Sequence, residues 1–306
     1  MTKNRRLFLK YSGLSASGLL LMGLGCKPSS EGSSESADTL ATVLPETVEG
    51  KSLDQFGIQL YTMRDILPAD PKGVMTQIAN MGYKQLEGYE GDMGLWWGMP
   101  HTDFKKFLDD QGLNFVSSHC DTNKDFERKA AEAAEVGAKY LISPWIGPQK
   151  SIEDYKKYAD QFNQLGEVCK SNGLRFAYHN HGYSFEELEG QMPQEVMMNN
   201  TDPELVDFEM DIFWVVTANA DPIAWMEKHS GRFTLCHVKD REKNAPAGEG
   251  DASCILGEGS IDFDPILKAA EANGMKYYIL EQEKYANTTP IDCAKAGAEY
   301  LRNVRV

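Results

Sequence analysis

The chain predicts an α/β fold of one kind, a single (β/α)8 TIM barrel. Short β-rich runs alternate with longer helix-compatible runs, the order of parallel strands joined by crossover helices. Eight such runs recur at spacings of roughly 30 residues, the length of one strand, one helix and two loops. Polar residues stand repeatedly at the carboxyl ends of these runs, where barrels of this kind hold their chemistry.

The strand candidates, in order, are QFGIQLY, KQLEGYE, LNFVSSHC, KYLISPW, LRFAYHNH, ELVDFEMDIFW, RFTLCHV and KYYILEQE. Between them, PKGVMTQIANMG, DFKKFLDDQG, NKDFERKAAEAAEVG and SIEDYKKYADQFNQLGEVCKSNG place apolar residues at helical spacing and end on Gly. A glycine after the last turn supplies a left-handed cap. A doubly wound open sheet has the same alternation. Here Tyr61-Thr62-Met63-Arg64-Asp65 follows the first strand, where that fold would carry a Gly-rich phosphate loop.

The barrel is expected over residues 53–306, as one catalytic domain of roughly 250 residues. Before it, Asn4-Arg5-Arg6-Leu7-Phe8-Leu9-Lys10 precedes a short apolar run to Gly25, which reads as an export signal over residues 1–26. The run is too short and too rich in small residues to span a bilayer comfortably. The paired arginines resemble a twin-arginine signal, and Gly23-Leu24-Gly25-Cys26 resembles a lipoprotein cleavage site with Cys26 as the lipidated residue. Residues 27–52 begin with KPSSEGSSESAD, the composition of a flexible tether. The expected location is outside the cytoplasm, periplasmic or lipid-anchored, with the anchor as the one contact to a membrane.

A net charge of −15 argues against nucleic acid, which needs concentrated Lys and Arg. Arg64, Lys239 and Arg241 remain candidates for contact with one anionic group of a small substrate. Besides Cys26, the five cysteines at 120, 169, 236, 254 and 293 show no paired spacing and form no disulfide framework. Cys120 and Cys236 sit in apolar runs, as small buried hydrophobes do.

Asp211, His237 and Glu281 each end a strand candidate, and His179 and His181 take the same place in RFAYHNH. Hard oxygen ligands mixed with imidazole suit Mn, Mg, Co or Zn, and ligands from separate strand ends converge when those strands lie side by side. Glu87 and His119 stand at corresponding places. A strand-end polar residue by itself more often caps a helix or ties down a loop; seven in register point to a site. At the same rim, Trp96, Trp97, Trp145 and Trp214 can stack on a sugar ring or simply pack the barrel. Trp96-Trp97 lies in the loop GDMGLWWGMPH, where two adjacent indoles are not expected both to be buried, so a substrate-covering loop is expected.

The chain resembles the xylose isomerase-like TIM barrels of the sugar phosphate isomerase/epimerase family over nearly all of residues 55–304. The resemblance rests on Gly57-Ile58-Gln59-Leu60-Tyr61 with Arg64-Asp65, Gly82-Tyr83 leading to Glu87, Tyr178-His179-Asn180-His181, Asp211-Ile212-Phe213-Trp214 with Asp221-Pro222, His237-Val238-Lys239-Asp240, Gly257-Glu258-Gly259 before Ile261-Asp262-Phe263, and Glu281-Gln282-Glu283. It implies a divalent metal, most often manganese, on Asp211, His237 and Glu281, with His179 where the epimerase branches carry a Glu. His179 is then ligand or base. If it is a ligand, its lone pair is occupied and His181, Lys239 or Glu87 inherits the proton transfer beside Glu281. Gln59, Arg64, His119, Trp97, Trp145 and Trp214 are the expected substrate contacts.

The reaction implied is isomerisation or epimerisation of a sugar or keto sugar through a metal-stabilised enediolate. Loss of one acid/base Glu and export both lean towards an alternative, elimination from a 3-keto sugar or keto glycoside by a lyase or dehydratase. The reading of a different class is a noncatalytic, lipid-anchored sugar-binding protein.

Overall fold

The structure, a computed structural model, describes residues 52, 53 and 55–306. The expected signal, the Cys26 anchor and the tether up to residue 51 lie outside the described residues. All eight predicted strands form: β1 (Gly57–Gln59), β2 (Gln85–Tyr89), β3 (Asn114–His119), β4 (Tyr140–Ser143), β5 (Arg175–His179), β6 (Val206–Asp211) and β7 (Phe233–Val238), then, past a hairpin of β8 (Asp240–Arg241) and β9 (Ser253–Cys254), β10 (Tyr277–Leu280). They close in the ring β1-β10-β7-β6-β5-β4-β3-β2, parallel throughout.

The helices are α1 (Pro71–Asn80), α2 (His101–Gln111), α3 (Phe126–Val136), α4 (Ile152–Ser171), α5 (Pro193–Asn199), α6 (Ile212–Thr217), α7 (Pro222–Lys228), α8 (Phe263–Ala272) and α9 (Pro290–Asn303). Local chemistry fixes their ends. Asp70, Ser151 and Thr289 accept backbone N–H groups at the starts of α1, α4 and α9, satisfying donors that have no partner within the helix. Gly112 and Gly137 end α2 and α3 at φ of 68° and 102°, a region that side chains disfavour.

Two strands end earlier than their apolar runs predict, because a side chain at the strand end starts a helical turn. Gln59 accepts the Tyr61 N–H and opens a 3-10 turn over Leu60–Met63. Asp211 Oδ1 accepts the Trp214 N–H at 3.2 Å, so Ile212, Phe213 and Trp214 enter α6 instead of extending β6.

The barrel interior is layered. Its floor is apolar, made of Val116, Tyr140, Ile142, Ala177, Leu235 and Ile279. Two residues further along the strands the inward positions turn polar, with His179, His237 and Glu281 above Ala177, Leu235 and Ile279. Two ladders skip a residue at this height. Leu86 pairs with Phe115 but Glu87 with Ser117, and Phe208 pairs with Phe233 but Glu209 with Leu235. Such bulges re-aim side chains near active sites.

Candidate metal centre and pocket

His179 ends β5, Asp211 ends β6, His237 lies near the end of β7 and Glu281 follows β10. These strands are consecutive in the ring, so their ends bring four ligand atoms within 4.8 Å of one another. His179 Nε2 lies 3.1 Å from His237 Nδ1 and 3.4 Å from Asp211 Oδ2. His237 Nδ1 is 3.7 Å from Asp211 Oδ2 and 3.2 Å from Glu281 Oε2.

The residues fit a divalent cation. Asp211 is fully buried, and its Oδ2 has no hydrogen-bond partner while Oδ1 is spent on the α6 cap. An orphaned buried carboxylate oxygen is expensive unless a cation satisfies it. Two imidazoles and two carboxylates suit Mn, Co or Zn.

Charge is balanced within the cluster. Burial alone would raise the carboxyls of Asp211 and Glu281, but Lys239 and the histidines hold both well below the usual carboxylate range. Burial would lower His237, yet Glu209 and Glu281 push it well above the ordinary imidazole range. A cation bound at His237 Nδ1 therefore has to displace a proton. Lys239 Nζ lies 2.6 Å from Glu283 Oε2, 3.2 Å from Glu281 Oε2 and 3.6 Å from Asp211 Oδ2. Against the lowering effect of burial, these carboxylates keep it above the usual lysine range, so it is a fixed cation here and not a proton acceptor. Asp240, next in the chain, faces away from it and accepts the amides of Arg241, Gly257, Gly259 and Ile261.

Above the cluster opens a pocket of about 420 Å³, whose walls include His119, Trp145, His179, His181, Trp214 and Glu281. Four carboxylates, Glu90, Asp121, Glu281 and Glu283, line it, and among the described residues no Lys or Arg does. Trp145 is 55 % exposed at the mouth, edge-on to His181 at 4.5 Å between centroids. Burial first, then His179, depresses His181 to about 2, so it is a neutral imidazole, and its buried Nδ1 has no partner.

Other expected contacts stand elsewhere. Trp96 and Trp97 are both buried, contrary to the expectation for adjacent indoles. Trp96 Nε1 donates to Glu132 and its ring packs on Phe104 and Phe115, while Trp97, at φ 54°, packs edge-on against Tyr89. The loop thus closes onto the outer core and does not line the pocket. Arg64 is taken up by Tyr285 Oη, the Tyr61 carbonyl and the Glu283 carbonyl, and Arg241 by Thr217 and the carbonyls of Ala245 and Pro246. Gln59 and Glu87 are fully buried beneath the pocket, with Gln59 Nε2 donating to Glu87 Oε1 at 2.8 Å. Glu87 Oε1 lies 2.6 Å from His237 Nε2, so it orients a ligand without reaching a substrate.

One residue of this interior, Glu209, escapes the strand-end reading because it lies two positions below Asp211. The alternation Asp207, Glu209, Asp211 in VDFEMD was its signal, since every second residue of a strand shares a face.

Known proteins resemble this chain in sequence and share its fold. An inosose dehydratase from Clostridium beijerinckii is 27% identical over 258 residues, 71% of this chain and 86% of its own. A sugar phosphate isomerase/epimerase structure from Parabacteroides distasonis superposes with a TM-score of 0.71 at 30% identity, over 82% of this chain and 98% of that one. The IolI protein, solved with a binding zinc atom, shares the fold at a TM-score of 0.67 and 14% identity, over 80% of this chain and 95% of its own. The chain is an enzyme, and with the family match spanning residues 75–304 it belongs to the xylose isomerase-like TIM barrel family.

Proposed function

We propose that the chain catalyses elimination from a neutral keto sugar or cyclic keto polyol, expelling water or a glycosidic oxygen from the carbon next to the one that loses its proton. The observation that carries this reading is the asymmetry of the ligand set at the pocket. Of the four ligands, Glu281 and His179 line it, and only Glu281 is a carboxylate.

An epimerisation needs a proton donor and a proton acceptor on opposite faces of one carbon. An elimination removes one proton from carbon and delivers one to the departing oxygen, so a single shuttle on one face closes the cycle. Glu281, kept ionised by Lys239, suits that role, taking the proton α to the carbonyl and returning it to the leaving oxygen. A divalent cation held by His179, Asp211, His237 and Glu281 would supply the Lewis acidity that polarises the carbonyl. His179 is then a ligand, and His181 offers its free Nδ1 to a substrate hydroxyl.

The four carboxylates and the lack of any lining Lys or Arg among the described residues oppose a phosphate group, which favours an unphosphorylated substrate. The dehydratase relative acts on an inosose, a cyclic keto polyol of this description. The second reading is isomerisation or epimerisation, favoured by the 30% identity to the Parabacteroides distasonis protein. Export and a lipid anchor at Cys26 are proposed on the sequence alone.

Incubation of the manganese-loaded protein with an inosose or a 3-keto glycoside in deuterium oxide, followed by mass spectrometry, separates the readings. Elimination yields an enone or its enol with loss of water or the aglycone. An isomer of unchanged formula carrying deuterium, with no released group, overturns it.

A further inference from the structure

Below the metal centre lies a second group of ligand atoms that the elimination does not use. Glu87, His119, Glu209 and His237 present one ligand atom each, all within 4.8 Å of one another. His119 Nε2 lies 2.8 Å from Glu209 Oε2 and 3.3 Å from Glu87 Oε1. His237 turns its other nitrogen downwards, with Nε2 2.6 Å from Glu87 Oε1 and 3.5 Å from Glu209 Oε1. Both carboxylates come directly after the register shifts of the β2–β3 and β6–β7 ladders, which skip Val116 and Thr234 on the partner strands. The chain irregularities and the two acids therefore coincide at one height.

Glu209 is the residue without an explanation. It is fully buried, and its Oε1 has no hydrogen-bond partner. Glu87, by contrast, accepts from Gln59 and Ser117. Four ligand atoms gathered this tightly around a buried oxygen with no hydrogen-bond partner form a second cluster beneath the first.

We propose that Glu87, His119 and Glu209 bind a second divalent cation of the manganese or zinc type, separated from the first by the imidazole of His237. Two carboxylates and one imidazole match the hard and borderline ligands such ions take. His119 lines the pocket, which gives the ion a route in from solvent. The site does not rest on the reaction assigned to the upper centre.

The test is metal stoichiometry on the purified full-length chain, stripped with a chelator and titrated with manganese(II), together with anomalous diffraction from manganese-soaked wild-type crystals. Two ions per wild-type chain, one per chain in Glu209→Gln, and a second anomalous peak between Glu87, His119 and Glu209 support the site. A single ion at saturation, two ions retained in Glu209→Gln, or one peak confined to the upper ligands overturns it. Should Glu209→Gln not fold, the wild-type crystal alone decides. Two bound ions without elimination would sink the reaction and leave this site; one ion with intact elimination would do the reverse.

Discussion

The two halves of the barrel do different work at the same height. Strands β5, β6, β7 and β10 give their last inward side chains to the upper cluster, one ligand each. Strands β1 to β4 give it none. Their contribution is Gln59, Glu87, Ser117 and His119, which hold the far side of His237 and the base of the pocket. One half forms the candidate metal centre and the other braces the side chains that form it. Losing support of that kind typically costs a metal site about 10–100-fold in affinity or activity.

The largest effect should come from the ligating half. Glu281→Gln should lower turnover by about 10²–10⁴-fold with circular dichroism and thermal midpoint little changed, because a rim carboxylate serves the reaction more than the core. Steady-state kinetics on the metal-loaded variant checks this, and near-wild-type turnover would remove Glu281 as the shuttle.

In the supporting half the largest change should appear in stability. Trp97 is 2 % exposed, and Trp97→Ala should cost about 3–5 kcal/mol in denaturant unfolding while KM stays put. A raised KM at unchanged stability would restore the substrate-covering loop that the sequence suggests. Glu87→Gln should weaken manganese binding at the upper centre by about 10–100-fold in calorimetric titration, because His237 loses the carboxylate that orients it. If affinity is unchanged, the halves are not coupled through that imidazole.

The smallest effect is expected at the mouth. Trp145→Ala should raise KM by about 2–10-fold, the worth of one aromatic contact of about 0.5–1.5 kcal/mol, and leave the thermal midpoint alone since the ring is largely exposed. A change in kcat without one in KM would place Trp145 in the reaction and not in binding.

Some of this is legible in the residues alone. His179, Asp211, His237 and Glu281 can be found because each ends a β-rich run, and a parallel barrel gathers strand ends at one rim. Glu209 lies mid-strand, where an acid in an apolar run carries no positional label beyond the alternation with Asp207 and Asp211. Arg64 and Arg241 look available for a substrate because a sequence does not show that nearby carbonyls and hydroxyls consume their donors. Trp97 looks exposed because its loop is Gly-rich and carries two adjacent indoles; burial depends on Tyr89 and the outer core lying beneath it.

By itself, then, the sequence determined the barrel, its eight strands, the glycines that stop its helices and the strand-end places of His179, Asp211, His237 and Glu281. These are consequences of local periodicity and of the fixed direction of parallel strands. Only the tertiary structure decided which polar groups are spent on one another. It placed Glu87 under His237, left Asp211 Oδ2 and Glu209 Oε1 without hydrogen-bond partners, and among the described residues put no Lys or Arg on the pocket wall. Hydrogen bonding and charge pairing saturate within a few ångströms, and that distance is set by register and strand closure across the ring, which no single segment of the chain contains.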